Sequence, residues 1–275
     1  MRITLRTFGY PMSLKRPTEL VVVLFVCLNG GCTTSQEATA SKERLIKAQT
    51  MFAERCKSAG EKIYRKVENV DGIFLLKLRP QGVNFDRQFD LSDPYGSDLL
   101  GVGYLESFIR DNDALPIDKS KPRRAGYRYV EAISATDGKR YRYSGHIEEP
   151  WQNDKHWLEG YTRFVLDSAV SEGPPPRYGV TYDDISTKEE RDYWIAGSSL
   201  KIIDLATGEV IAERRGYMID VYQGSRAGGR SPWLFAADHA CPEFTSSGRN
   251  GALLQSGQAD KFVEKVLIPA AREKQ

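Results

Sequence analysis

Residues 193–222, YWIAGSSLKIIDLATGEVIAERRGYMIDVY, decide the fold. Two runs rich in Ile, Val, Leu, Tyr and Trp flank Asp204-Leu205-Ala206-Thr207-Gly208-Glu209. Gly208 supplies the positive φ that follows a type I turn, so the stretch reads as a long β-hairpin. Alternation sets Trp194, Ala196, Leu200 and Ile202 on one face and Ile195 and Ile203 on the other. Apolar side chains on both faces predict a central pair of strands, covered at least in part on each side.

Other strands are marked less strongly. Residues 127–133, Asp137-Gly138 and residues 139–144 spell a second hairpin, with Tyr127 and Tyr129 sharing a face with Glu131. Its arginines either face solvent, making a basic aromatic face suited to acidic partners or glycan polymers, or pair with Glu131 across the strands. Residues 62–67 and 73–79 predict two strands about a turn at Val70-Asp71-Gly72, and 161–170 and 178–182 predict two more. Residues 80–98 read as a long loop, 99–109 as a short helix or strand, and 111–124 as a charged connection.

Helical periodicity appears near the two ends. Ser41 opens a pattern with Leu45, Ala48, Phe52, Cys56 and Ala59 on one stripe, and Ala259, Phe262, Val263, Val266 and Leu267 repeat it near the C-terminus. Ser186-Thr187-Lys188-Glu189 matches a capping box and predicts one turn of helix before the central hairpin. The expected fold is therefore α+β: a mainly antiparallel β-sheet with an N-terminal and a C-terminal helix, in a single domain over residues 41–275.

The chain has 275 residues, 40% of them hydrophobic and 28% charged, an ordinary globular balance. Its formal charge of +2 misleads. Residues 1–31 carry Arg2, Arg6, Lys15 and Arg16 against Glu19, so the remainder holds 35 basic and 36 acidic residues, a net of −1. A near-neutral body argues against a nucleic-acid partner.

Those first residues read as a targeting segment. Lys15-Arg16 precede a nine-residue apolar run, 20–28, followed by Asn29-Gly30-Gly31-Cys32. A basic region, a short apolar core and small residues before a cut are the parts of a secretory signal, here 1–31; Met12, 20 residues before Cys32, is an alternative start. The run is shorter than the roughly 20 residues a spanning helix needs. Small residues directly before a cysteine resemble the lipobox of bacterial lipoproteins, although Asn29 stands where that pattern usually has Leu. The resemblance implies that Cys32 becomes the lipidated mature N-terminus, with a bilayer as partner, and that 32–40 form a lipidated tether. Thr33 after the cysteine implies the outer membrane, facing the periplasm. Ordinary cleavage with release, or an uncleaved anchor, are the alternatives.

With Cys27 in the signal and Cys32 lipidated, Cys56 and Cys241 remain of the four cysteines. Two cysteines in an oxidising compartment predict one disulfide, against the reading of two unrelated buried thiols.

The residues that could carry chemistry are few. His146, Glu148 and His156 are the densest set of possible metal ligands, but their spacing matches no zinc motif, and the expectation is no metal and no cofactor. There is no G-x-S-x-G elbow, and Gly197-Ser198-Ser199 falls inside a predicted strand. Cys241 near His239 could be a thiol nucleophile, though a disulfide fits it better. Arg226 and Arg230 in the glycine-rich run 224–230 could contact an anion or a partner, a mobile loop being the alternative.

The elements YWIAGSSL (193–200), DLATGEVIAER (204–214), GYM (216–218), RSPW (230–233) and ACP (240–242) resemble an uncharacterised family of proteobacterial lipoproteins. The resemblance implies no reaction and transfers no catalytic residue. The expected function is a membrane-anchored envelope lipoprotein acting as a non-enzymatic binding or assembly module, for an envelope protein or a glycan. The alternative is a lipid-anchored periplasmic hydrolase, with the 146–156 segment as first suspect.

Overall fold

The structure is a computed structural model, described over residues 19–82, 84–90, 98–109, 126–148, 163–243 and 255–270, with backbone alone at 19–36, 147, 148 and 163. The chain divides into two units, Met1–Ile46 and Lys47–Gln275.

Helix α1 (Glu19–Cys56) opens the described chain. The expected tether at 32–40 is therefore helical backbone, and Glu37–Ala40 are exposed along it. Among the described residues no helix is long and apolar enough to cross a membrane.

The second unit is built on a nine-stranded sheet. Its strands are β1 (Gly60–Ile63), β3 (Gly72–Leu75), β4 (Tyr129–Ile133), β5 (Arg140–Glu148), β6 (Arg163–Val170), β7 (Tyr178–Asp184), β8 (Ile195–Asp204), β9 (Glu209–Ile219) and β10 (Ala240–Cys241). They lie in the order β1-β9-β8-β7-β3-β4-β5-β6, with β10 beside β1 on the outer edge of β9. Only β3 runs parallel to its neighbours β4 and β7; every other pair in this sheet is antiparallel. A separate parallel pair joins β2 (Val67–Val70) to β11 (Leu267–Pro269). The strands expected about Gly72 are redrawn: Lys62 and Ile63 end β1, 64–66 leave the strand and Val67 opens β2, while of 73–79 only Ile73–Leu75 are strand, in β3, and β2 and β3 do not pair with each other. Asp71 turns the chain out of one sheet and into the next, and β3 is drawn between β4 and β7 by its buried Ile73 and Leu75.

The central hairpin is β8–β9, in register from Ile195↔Ile219 to Asp204↔Glu209 with a bulge at Ile202/Ile203. Gly208 takes φ 74° at its turn, and the N–H of Gly208 donates to the Asp204 carbonyl at 2.8 Å. Asp204 is buried there, with its carboxylate bound by Arg177 (2.9 Å) and Arg65 (2.7 Å). The Arg177 guanidinium, helped by Arg65, holds the Asp204 carboxyl down at about 2.

Both sheet faces are covered, as the alternation predicts. On one, helix α2 (Gly101–Ile109) and helix α5 (Gln258–Val266) bury Tyr104, Phe108, Phe262 and Val263 against Leu75, Val130, Val180 and Ile202. Full burial of one such apolar side chain contributes roughly 1.5–3 kcal/mol. The N-terminus of α5 has no cap of its own: Asp98 supplies one from afar, accepting from the N–H groups of Gly257 (2.8 Å) and Ala259 (3.2 Å). Burial pushes the Asp98 carboxyl up despite nearby Arg79. On the other face, Ala48, Met51 and Phe52 of α1 pack on Ile195 and Ile219 at the open end of the hairpin. Of the predicted stripe, Ala48 and Phe52 make this contact and Cys56 ends the helix, while Ala59 lies beyond it and Met51 joins the packing.

The second hairpin, β4–β5, settles the choice left open for its arginines. Glu131 opposes Arg142 in register and is buried, with Arg142 at 2.8 Å, Arg140 at 3.1 Å and the Ser171 hydroxyl donating at 2.8 Å. Arg142 also stacks on the Tyr129 ring at 4.0 Å. Cross-strand pairing, rather than a free basic face, accounts for the pattern.

A candidate binding surface at the exit of the central hairpin

Where β9 ends, the chain enters a cluster of short elements: a 3₁₀ turn (Ala227–Gly229), helix α4 (Pro232–Ala236), a second 3₁₀ turn (Ala237–His239) and β10. Helix α3 (Lys188–Asp192) abuts the start of β8. Its capping box is displaced by one residue from the expected one. Thr187, not Ser186, is the N-cap, and Glu190 reaches back to it. Ser186 instead accepts from Arg191 Nε at 2.7 Å and donates to Asp184.

The floor of the cluster is aromatic and locked. Trp233 is buried between the Trp194 ring, 5.0 Å away, and the Arg191 guanidinium, 5.3 Å from its ring. Its indole N–H donates to the Arg87 carbonyl at 3.0 Å. Arg191 is itself buried and ion-paired to Asp184. Gln88 Nε2 donates to the carbonyls of Arg191 (2.8 Å) and Asp192 (3.0 Å), fastening the 84–90 segment to α3. A buried cation of this kind persists because its charge and N–H groups are all matched.

The backbone over this floor is strained. Trp194 has φ 53° and Gln223 φ 49°, two of the three described non-glycine residues with positive φ, and Gly224 follows at φ 82°. The left-handed region is costly for a bulky side chain and is held only where surroundings over-determine it. They do so here. A Cβ on Gly224 would fall 2.3 Å from the Trp194 ring, so only glycine fits, and Gln223 Nε2 bridges the Tyr193 (2.9 Å) and Asp220 (3.0 Å) carbonyls. The sequence placed Trp194 inside a strand. It sits instead in the turn before β8, because stacking on Trp233 fixes its ring on the floor.

On top lies a platform. Tyr222 is 64% exposed and Phe235 is 44% exposed. The Arg230 guanidinium lies between them, 4.6 Å from the Tyr222 ring and 5.3 Å from the Phe235 ring. Arg230 is not presented to an outside anion: it is 12% exposed and ion-paired to buried Asp220 at 2.5 Å, and it donates to the Ser225 carbonyl at 2.6 Å. Arg226 is exposed, donating to the Asp86 carbonyl at 3.1 Å. Of the two arginines expected to contact a ligand, one is a structural clamp and one lies on the rim. The sequence carries no separate signal for the aromatic pair: Tyr222 closes the apolar run of the hairpin and Phe235 closes the run Trp233-Leu234-Phe235.

The remaining candidates fall elsewhere. Cys56 and Cys241 form the expected disulfide, S–S 2.06 Å, across a separation of 185 residues, which leaves Cys241 no thiolate for nucleophilic chemistry. Ser199 is buried and donates to Glu213 at 2.7 Å, and a Cβ on Gly197 would meet the Tyr217 ring at 2.6 Å, so this glycine-serine run serves close packing. His146 stands exposed on β5 with Nδ1 2.8 Å from Asp167 on β6. Glu148 has only its backbone described, and His156 lies outside the described residues. Among the described residues no group of three or more His, Cys, Asp and Glu could hold a metal ion. Cys32 lies in α1 with its side chain undescribed. Comparison of the chain with protein-family models, with curated proteins and with solved structures finds no match.

Proposed function

We propose that the chain is a lipoprotein of the cell envelope, anchored through Cys32 to the outer membrane and facing the periplasm, and that it acts as a non-enzymatic binding or assembly module. Its contact surface on this reading is the platform of Tyr222 and Phe235. The observation that carries the reading is the coincidence, between β9 and β10, of two exposed aromatic rings, Tyr222 and Phe235, with the left-handed backbone of Gln223 next to Tyr222. Strain of this kind costs on the order of 1–3 kcal/mol per residue and collects at ligand clamps and functional loops. Rigid aromatic anchors on a loop set by a scaffold are the usual means of recognition at low entropic cost.

The anchor and the surface have separate tests. Metabolic labelling with a palmitate analogue is expected to mark the wild type and to fail for Cys32→Ser; equal labelling of both refutes the anchor. Chemical crosslinking followed by pulldown is expected to recover a partner with wild type and to lose it with the double variant Tyr222→Ala/Phe235→Ala. Undiminished recovery refutes the platform. The hydrolase reading has the His146–Asp167 hydrogen bond in its favour, and it requires an activity that His146→Ala abolishes.

A further inference from the structure

One helix end touches the chain beside both strained residues. Tyr193 precedes Trp194, and Val221 stands two before Gln223. Both pack into the cluster that Ala48, Met51 and Phe52 of α1 form with Ile195 and Ile219. The Lys47 ammonium lies 4.8 Å from the Tyr193 ring and 3.4 Å from the Glu189 carboxylate. At the far end of the same contact, Arg55 pairs with buried Glu190. Glu190 is also the residue that closes the capping box of α3, and α3 runs directly into the strained turn: the Trp194 N–H donates to the Arg191 carbonyl at 3.0 Å. The two strained positions are tied to each other as well. The Tyr193 carbonyl accepts from Gln223 Nε2, and the Trp194 carbonyl accepts from the Asp220 N–H at 2.9 Å.

From these contacts we infer that the docked end of α1, residues 47–56, is a clasp on the platform. While it is seated, Trp194 and Gln223 are held in the left-handed region; when it lifts, they relax and the platform loses its set conformation. A bulky residue stays at positive φ only where its surroundings forbid the ordinary one, and the helix end bears on the neighbours of both. The clasp can open without unfolding the sheet. Met51 and Phe52 are only partly buried, the Lys47–Glu189 pair is exposed, and Arg55 is half-buried. Segments held by few buried contacts open locally before the core does. The Cys56–Cys241 bridge stays closed, so the helix end pivots on it. Cys32 lies in the same helix. The bearing of the clasp on partner contact rests on the reading proposed above, in which that residue carries the anchor and the platform is the contact surface.

The test is hydrogen exchange read by mass spectrometry on segments 193–196 and 220–225, with 104–109 and 262–266 of the core as references. Phe52→Ala and Arg55→Ala should each speed exchange in the first two segments about tenfold and leave the references unchanged within about twofold. Lys57→Ala, which removes the exposed Glu54–Lys57 pair just past the end of the same helix, should change none of them. Unchanged exchange at 193–196 and 220–225 overturns the inference. So does a rise that the core segments share, since that reports general destabilisation. Photo-crosslinking from position 222 separates the clasp from the reading it rests on. No capture by the wild type refutes the contact surface, and the exchange result still decides the clasp. Where the wild type does capture a partner, Arg55→Ala should weaken capture at least about threefold; undiminished capture overturns the clasp's hold on the platform.

Discussion

Asp204, Asp184 and Gly208 show how single residues hold this fold. The folded-state pKa of Asp204, about 2, lies below the ordinary value of 3.8 because Arg177 and Arg65 bind the charged form. A carboxyl with a depressed pKa contributes stability above its unfolded value and loses it as pH falls through the folded one. Unfolding midpoints measured between pH 5 and pH 2 should therefore fall for the wild type, with a shallower slope for Asp204→Asn. Asp184→Ala leaves the buried Arg191 without its counter-ion and should cost ~3–5 kcal/mol in urea unfolding. Gly208→Ala meets no neighbour within 4 Å, so its expected loss of ~1–2 kcal/mol reports the left-handed φ alone. Gly208 was legible in the sequence because a turn glycine has one local job. Asp204 was not: it looked like a solvated turn residue, and the two arginines that cover it come from positions 65 and 177.

At the scale of elements, periodicity did well and pairing did not. The stripe of α1, the strands of both hairpins and the helix α5 follow from apolar spacing, which burial on a sheet face enforces along a continuous segment. Partner choice between distant strands leaves no such local trace. The parallel insertion of β3 between β4 and β7, and the pairing of β2 with β11, depend on contacts across more than fifty residues. The N-cap of α3 moved from Ser186 to Thr187 because Ser186 is engaged by Arg191 and Asp184, an arrangement that only tertiary packing creates. Thr187→Ala is expected to destabilise by about 1 kcal/mol, while the same change at Ser186 acts through the buried ion pair instead. Comparing the two variants in chemical denaturation, with and without Asp184→Ala, separates the roles: Ser186 and Asp184 should be non-additive, Thr187 and Asp184 closer to additive.

For the whole molecule, the disulfide and the docked end of α1 converge on the open end of the β8–β9 hairpin. The Cys56–Cys241 bridge joins the last residue of α1 to β10, which pairs with β9 at Tyr217 and Met218. Closing so long a loop restricts the unfolded chain, and the double variant Cys56→Ser/Cys241→Ser is expected to lose ~2–5 kcal/mol. The loop that carries Tyr222 and Phe235 is held between β9 and β10, so loosening that bridge should lower the platform's protection from hydrogen exchange before that of the Phe108–Phe262 core. Its strain is what the sequence could not reveal, since nothing in the letters at 194 and 223 announces a left-handed backbone.

On the proposed function, the protein meets its partner at this strained loop rather than through exposed aromatic surface in general. Tyr64 provides the comparison, for it is 63% exposed and lies after β1 in another part of the sheet. A photo-reactive amino acid is placed in turn at positions 222, 235 and 64 of the protein and activated in intact cells. Adducts are expected from 222 and 235 and none from 64. Adducts from all three alike, or from 64 alone, would contradict that expectation.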